Sequence, residues 1–251
     1  MKKNKPLLII FIFIVQNVFG QIEPIITDRP DQTESAALVP KGYFQGEHGF
    51  AINFNNIANE YSVLSSLIRF GINNNFELRL VIDPQIIATE VENISGINPV
   101  SIGLKTKLIE NDIIQLSLIT HLQFSKIATE DFKSNYNAIA TRLTAAHTLT
   151  DFLGIGYNIG VEWDGFTGAP YYIYTFTSGF ALGEKFGAFI ELFGNFNESF
   201  SENFADAGFT FQPTNNFQFD ISAGTNINFD IADYFASVGF SYRFNCTKEN
   251  G

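Results

Sequence analysis

Over residues 41–244 the sequence alternates apolar and polar side chains, in about a dozen segments of about ten residues each. A period of two means extended strands whose neighbouring side chains point to opposite faces. The pattern is sharpest near the end. There Phe217, Phe219, Ile221 and Ala223 interleave with Gln218, Asp220 and Ser222, and Ala236, Val238, Phe240, Tyr242 and Phe244 interleave with Ser237, Gly239, Ser241 and Arg243. A soluble sandwich also alternates, but its edge strands and outer faces must be polar. Here nearly every segment offers a row of Phe, Ile, Leu or Tyr, more apolar face than a sandwich has room to bury. A closed barrel in lipid takes all of those rows at once and leaves no unpaired strand edge. The expected fold is therefore all-β, a closed antiparallel transmembrane β-barrel of about 12 strands.

The connections fit that expectation. Short polar turns at 73–75, 110–112, 151–152, 183–185 and 213–216 alternate with longer polar loops at 89–98, 126–135, 165–170 and 197–203. Short turns at one end and long loops at the other is the outer-membrane arrangement, turns periplasmic and loops outside. The 28 Phe and 20 Gly against one Trp suit strands rather than helices. Aromatic residues near segment ends, among them Tyr61, Phe70, Phe76, Trp163, Tyr171, Tyr172 and Phe186, are expected to form girdles at the membrane interfaces. Pro84 lacks an N–H and suits a strand end or a bulge.

Ahead of the alternation, residues 1–20 have the form of a secretory signal peptide. Lys2, Lys3 and Lys5 precede an apolar run over 7–15 that is too short to span a bilayer, and Val18 and Gly20 precede a cut at Gln21. Residues 21–40 form a polar, Pro-punctuated N-terminal segment on the periplasmic side, and residues 245–251 form a C-terminal tail. The net charge of −11 becomes −14 without the three leader lysines, which disfavours nucleic acid as a partner. The single cysteine, Cys246, excludes an intrachain disulfide framework. The address implied is the outer membrane of a Gram-negative bacterium. The expected partners are the lipid bilayer, the barrel-insertion machinery and a small-molecule solute, with the chain a monomer.

If the apolar rows face lipid, the opposite rows line a lumen. The candidate substrate path is then Arg69, Glu77, Arg79, Asp83, Lys105, Lys107, Glu162, Glu191, Asp220 and Arg243, with Glu47, Arg142 and Asp206 on the same faces. Both signs occur, so interior ion pairs such as Arg69 or Arg79 with Glu77 or Asp83, or a water-filled path, are open alternatives. Inward Phe189 and Phe193 are candidates for an aromatic path, or simply pack the interior. No metal, cofactor or catalytic motif emerges. The three histidines lie on different segments, and Ser117 and His121 on one strand are about 13 Å apart, beyond hydrogen-bond reach. The chain is not expected to be an enzyme.

One stretch carries a more specific signal. Thr27-Asp28-Arg29-Pro30-Asp31-Gln32-Thr33-Glu34-Ser35, then Val39-Pro40-Lys41-Gly42 and the strand Phe44-Gln45-Gly46-Glu47-His48-Gly49-Phe50, resemble the outer-membrane transporter family associated with the meta pathway of phenol degradation. The resemblance implies a transporter-like β-barrel that passes small, hydrophobic or aromatic molecules. The alternative is a non-transporting structural or surface-binding barrel. Many such barrels end on an aromatic residue, whereas here Phe244 is followed by seven more residues. Closure requires residues 41–54 to pair with 234–244. The motif residues Asp28, Arg29, Pro30, Asp31, Thr33 and Glu34 then either fold into the periplasmic mouth as a plug or trail as a tether.

Overall fold

The structure is a computed structural model that describes residues 23–54, 58–228 and 233–247. The expected signal peptide and the last four residues of the tail lie outside the described residues. Fourteen strands follow in chain order: β1 (Tyr43–Phe54), β2 (Asn59–Gly71), β3 (Phe76–Ile82), β4 (Pro84–Ala88), β5 (Asn93–Ile97), β6 (Ser101–Glu110), β7 (Gln115–Gln123) and β8 (Ala138–Thr148). The remainder are β9 (Leu153–Trp163), β10 (Pro170–Ala181), β11 (Phe186–Phe196), β12 (Ser201–Thr214), β13 (Phe217–Asn226) and β14 (Tyr234–Asn245). Each pairs antiparallel with its neighbour, and β1 pairs with both β2 and β14, so the sheet closes on itself with twelve strands around the ring. The seam has the expected partners, from Phe44 opposite Phe244 to Phe54 opposite Tyr234.

The other two strands belong to one outward hairpin. β3 is interrupted at Asp83 and continues as β4, which begins at Pro84 and pairs with β5. The stretch 89–98, expected as a loop, is thus partly strand. Its Ile97 exchanges hydrogen bonds with Thr129 of the next long loop, where Phe132 is buried. The hairpin stands because a second loop packs against it, a contact that alternation cannot reveal.

The tight turns have local causes. Asn73 Oδ1 accepts from the N–H groups of Asn75 and Phe76 at 2.8 and 3.0 Å, and Asn111 Oδ1 does the same for Ile113 and Ile114. Strand β2 carries a bulge at Leu64, which takes φ 60° and shifts the register between Gly49 and Phe50. Below the bulge Ser65 points inward, and so does Arg69, as expected. Above it the parity flips, and Ser62 and Glu60 face the interior.

Burial is inverted relative to a water-soluble protein. Glu47, Arg69, Glu77, Lys105, Ser117, Thr144 and Asn158 are all 0% exposed, while Phe209 and Ile221 are 62% and 54% exposed. In water such a distribution would waste the hydrophobic effect and desolvate charges at once. In a bilayer the apolar exterior meets hydrocarbon, and closure leaves no strand edge without a partner.

Candidate functional site

The interior is occupied by the chain's own N-terminal arm, residues 23–40, which enters among the short turns, bends back at Pro30, Asp31 and Gln32, and returns to start β1. The Arg29–Pro30 peptide at the bend is cis. An irregular segment enclosed in this way has no ladder to satisfy its peptide groups, so side chains must do it. Inward amides and hydroxyls from around the barrel take that role. In the first leg, Gln212 donates to Ile25 O and Gln45 to Ile26 O, both at 2.9 Å, and Gln218 donates to Thr27 Oγ1 at 2.8 Å. In the second leg, Asn158 donates to Glu34 O at 3.0 Å and accepts from Glu34 N at 2.8 Å, while Ser117 donates to Ala36 O at 2.7 Å. At the bend, Gln32 N donates to Glu191 at 2.7 Å, and the Thr33 hydroxyl contacts both Thr175 and Glu191.

Charges lock the same arm. Asp28 N donates to Glu47 at 2.8 Å, and the Asp28 carboxylate faces three cations. Its Oδ2 lies 2.7 Å from Arg79 Nη1, 3.3 Å from Lys105 Nζ and 3.5 Å from Arg69 Nη1. Its Oδ1 accepts from Ser35 N at 2.8 Å, tying the two legs together. Arg69 in turn holds Glu77 through two hydrogen bonds of 2.8 and 2.9 Å and Glu47 at 2.9 Å. Glu77 then accepts from Val39 N at 2.7 Å. Glu34 pairs with Arg79 at 2.9 Å, and Arg29 pairs with Asp220 at 2.9 Å while donating to Ser237 at 2.7 Å.

Burial alone would push the Asp28 carboxyl up. The Arg69, Lys105 and Arg79 cations outweigh it and hold the group well below the usual carboxylate range. Glu34 is likewise held low by Arg79 and Arg142 against the effect of burial. Asp31 goes the other way: burial, reinforced by the neighbouring Glu191 carboxylate, raises it well above the ordinary value.

The remaining sequence candidates fall in three places. Arg243, near the turns, donates to Glu23 O at 2.6 Å and to Asn216 Oδ1 at 3.0 Å, and Lys107 pairs with Glu110 at the same end. Glu162 binds Arg142 at 2.6 Å and accepts from Tyr171 at 3.0 Å toward the loop end. Asp83 accepts from Asn98 at 2.8 Å at the β3–β4 break, so of the ion pairs expected for Arg69 and Arg79 it is Glu77 that serves both. Tyr171, expected in a girdle, points inward; it has the parity of buried Ile173 and Thr175, which is legible once the strand register is known. His121 accepts from Arg79 Nε at 3.1 Å while Ser117 is committed to the arm, so the two do not form a catalytic pair. Among the described residues no cluster of His, Cys, Asp and Glu has the makings of a metal site.

Two cavities flank the arm. The larger, about 710 Å³, lies on the loop side and is lined by Arg29, Asp31, Glu34, Arg79, Arg142 and Glu162 among others. The smaller, about 290 Å³, lies on the turn side, against Glu23, Val39, Lys107 and Arg243. A third of about 260 Å³ opens near the loop end, beside Phe193, Phe204 and Phe235. Phe204 and Phe235 escaped the sequence reading because Phe235 meets the other rings across an intervening strand, past Gly224 of β13, a contact that alternation does not encode.

A closed twelve-strand barrel with an apolar exterior and a charged, cavity-bearing lumen is a transmembrane β-barrel of the outer-membrane type, sited in the outer membrane of a Gram-negative bacterium. More particularly, the chain belongs to the family described as "Putative MetA-pathway of phenol degradation", which it matches over residues 27–244. Among solved structures it is similar to an outer membrane channel from Pseudomonas putida F1, with a TM-score of 0.65, 10% identity and coverage of 82% of this chain and 97% of that one. It is also similar to the KdgM porin in complex with disordered oligogalacturonate, with a TM-score of 0.56, 12% identity and coverage of 79% and 99%. The CymD monoaromatic hydrocarbon channel aligns with a TM-score of 0.50, 9% identity and coverage of 82% and 89%. At these identities the likeness is one of fold. No curated protein matches the chain in sequence.

Proposed function

We propose that the barrel passes small, hydrophobic or aromatic solutes across the outer membrane and that the arm of residues 23–40 sets the width of their path. The observation that carries this reading is the pair of polar cavities, about 710 and 290 Å³, that lie on either side of the arm. Family membership and the likeness to channels, one of them for monoaromatic hydrocarbons, support it. The lumen charges Arg69, Glu77, Arg79, Lys105, Glu191 and Asp220 act on this reading first as the dock for the arm, while Arg142 and Glu162 face the solute. Asp83, Lys107 and Arg243 stand near the two mouths. The barrel works as a monomer, and Phe244 on the lipid face of β14 is the residue that the insertion machinery reads.

The test is planar-bilayer conductance and liposome swelling for the full mature chain and for a variant lacking 23–40. Low conductance that rises several-fold on deletion is expected. A sealed bilayer with both proteins overturns the channel reading, and equal conductance removes the arm's role. The ion-paired arm itself favours a second reading, a non-transporting surface-binding barrel. That reading predicts no conductance, and loss of surface binding when the loops at 89–98 and 165–170 are trimmed.

A further inference from the structure

Glu191 of β11 and Asp206 of β12 stand directly opposite each other on the inner face. Side chains in that relation start from Cβ atoms about 5 Å apart, a spacing at which like charges repel. Both residues are buried, and neither borders the three cavities described above. Glu191 serves the arm: it accepts from Gln32 N at 2.7 Å and meets the Thr33 hydroxyl. Asp206 is 7% exposed, and both of its carboxyl oxygens lie buried without a hydrogen-bond partner among the described residues. On its other flank stands Gly224 of β13, where a Cβ would overlap the Asp206 side chain and the Phe235 ring. Asp31 of the arm completes the group; on top of its burial it feels the charge of Glu191 and, more weakly, of Asp206. The other elements around the pair bring no charge to it: Thr175 and Thr177 from β10, Gly224 from β13 and Phe235 from β14. Among the described residues no lysine or arginine pairs with any of the three carboxyls. The lumen cations are taken up elsewhere, Arg69, Arg79 and Lys105 by Asp28, Arg29 by Asp220 and Arg142 by Glu162.

We propose that Glu191 and Asp206 hold one proton between them and that this proton latches the bend of the arm. Two ionised carboxylates side by side in a desolvated site without a cation are costly. A shared proton removes the repulsion and gives Asp206 the partner that its oxygens lack. Asp206 then donates to Glu191, whose remaining lone pairs stay turned to Gln32 and Thr33. No solute reaches these oxygens, but a proton does, because Asp31 sits beside Glu191 and also borders the loop-side cavity. Hydroxide that takes the proton becomes water and leaves two carboxylates facing each other behind the bend. Glu191 turns away from Asp206, and Gln32 and Thr33 lose their acceptor. With the arm released and the pair open to water, the proton is not held above about pH 4. Docking therefore takes up a proton, and the latch weakens as pH climbs.

The latch does not depend on solute passage, and two measurements on the full mature barrel in lipid vesicles test it. Both use the Asp31→Asn background, which removes the third carboxyl of the group. Infrared difference spectroscopy at about pH 7, where exposed carboxyls are ionised, reads the proton itself. The C=O stretch of a protonated carboxyl is expected there, and adding Asp206→Asn removes it. An identical carboxyl band with and without Asp206→Asn overturns the shared proton. Limited proteolysis of residues 29–35 at about pH 7 and about pH 9.5 reads the latch, each rate divided by that of a free peptide of residues 23–40 at the same pH. Cleavage of Asp31→Asn should quicken several-fold in alkali. Adding Asp206→Asn, whose amide donates to Glu191 as the proton does but cannot be titrated, should abolish that acceleration. No acceleration in Asp31→Asn, or the same acceleration in both proteins, overturns the latch. Retention of the heat-modifiable gel band shows that each variant is folded. Glu191→Gln, which removes the like charge from the other side, should also abolish the acceleration and stands in should Asp206→Asn fail to fold.

Discussion

Gly49 of β1 and Gly239 of β14 stand opposite each other across the seam that closes the barrel, and the Arg29 guanidinium lies against both. A Cβ on either would overlap its nitrogens, so the seam is shaped to receive an arginine from the arm. Gly239→Ala is therefore expected to expel Arg29 and break its bonds to Asp220 and Ser237, costing about 1.5–3 kcal/mol of arm docking. The barrel itself should still fold. Limited proteolysis checks this: cleavage near residues 29–35 should speed up in Gly239→Ala and not in Gly179→Ala, where an added Cβ meets nothing within 4 Å. Unchanged cleavage in Gly239→Ala would show that the arm is held elsewhere.

The Asp28 carboxylate bridges Arg69, Arg79 and Lys105. Removing one partner of a buried charge set costs about 3–5 kcal/mol, because the others stay desolvated. Asp28→Ala should lower the urea midpoint accordingly and remove one negative charge from the lumen. The reversal potential in a salt gradient should move toward anion selectivity. Asp28→Asn, which keeps the shape and loses the charge, should do the same to a smaller extent.

The barrel and the facing of its residues were legible because period-two alternation encodes strand, face and register together. Residues 41–54 had to pair with 234–244 since no lipid-facing edge can stay open, and Phe44 opposite Phe244 follows. That Asp28, Arg29 and Glu34 need counter-charges was legible too. Their partners were not, because the arm has no periodicity and its path is fixed by amides such as Gln212, Gln218 and Asn158 from distant strands. The Leu64 bulge was hidden for a related reason. One extra residue shifts parity without altering composition, and Glu60 and Ser62 turn inward with no local sign of it. The Phe193, Phe204 and Phe235 cluster depends on Gly224 letting one ring cross a strand, a relation between four strands that a linear pattern does not contain.

The arm carries opposed titrations. Asp28 and Glu34 are held below the ordinary carboxylate range, so their contribution to docking is present above about pH 4 and is lost as pH falls through their lowered values. Asp31 is raised by burial and by Glu191, so its ionisation opposes docking: the penalty grows as pH climbs from about 4 through the raised value. Asp31→Asn should therefore tighten the arm at neutral pH and make no difference below about pH 4. Proteolysis or hydrogen exchange of residues 29–35 at several pH values reads this directly. Looser docking of Asp31→Asn at pH 7 would contradict the sign.

Neighbouring residues on β13 separate a membrane barrel from a soluble one. Ile221 is 54% exposed and Ser222 is 3% exposed, so they sit on opposite faces with the apolar residue outside. On a water-facing surface Ile221→Arg would change stability by no more than about 0.5 kcal/mol, and it would help solubility. At the middle of a lipid-facing strand the same change costs about 2–4 kcal/mol, because the guanidinium must leave water or drag it into the hydrocarbon. Folding into lipid vesicles in a urea series should show that loss for Ile221→Arg. Ser222→Ala, turned to the lumen, should fold within about 1 kcal/mol of the parent, since it removes only one hydroxyl. The asymmetry between the two positions is the measurable consequence of the inverted burial: the solvent for the outer face is hydrocarbon, and the polar groups have gone inside to hold the arm.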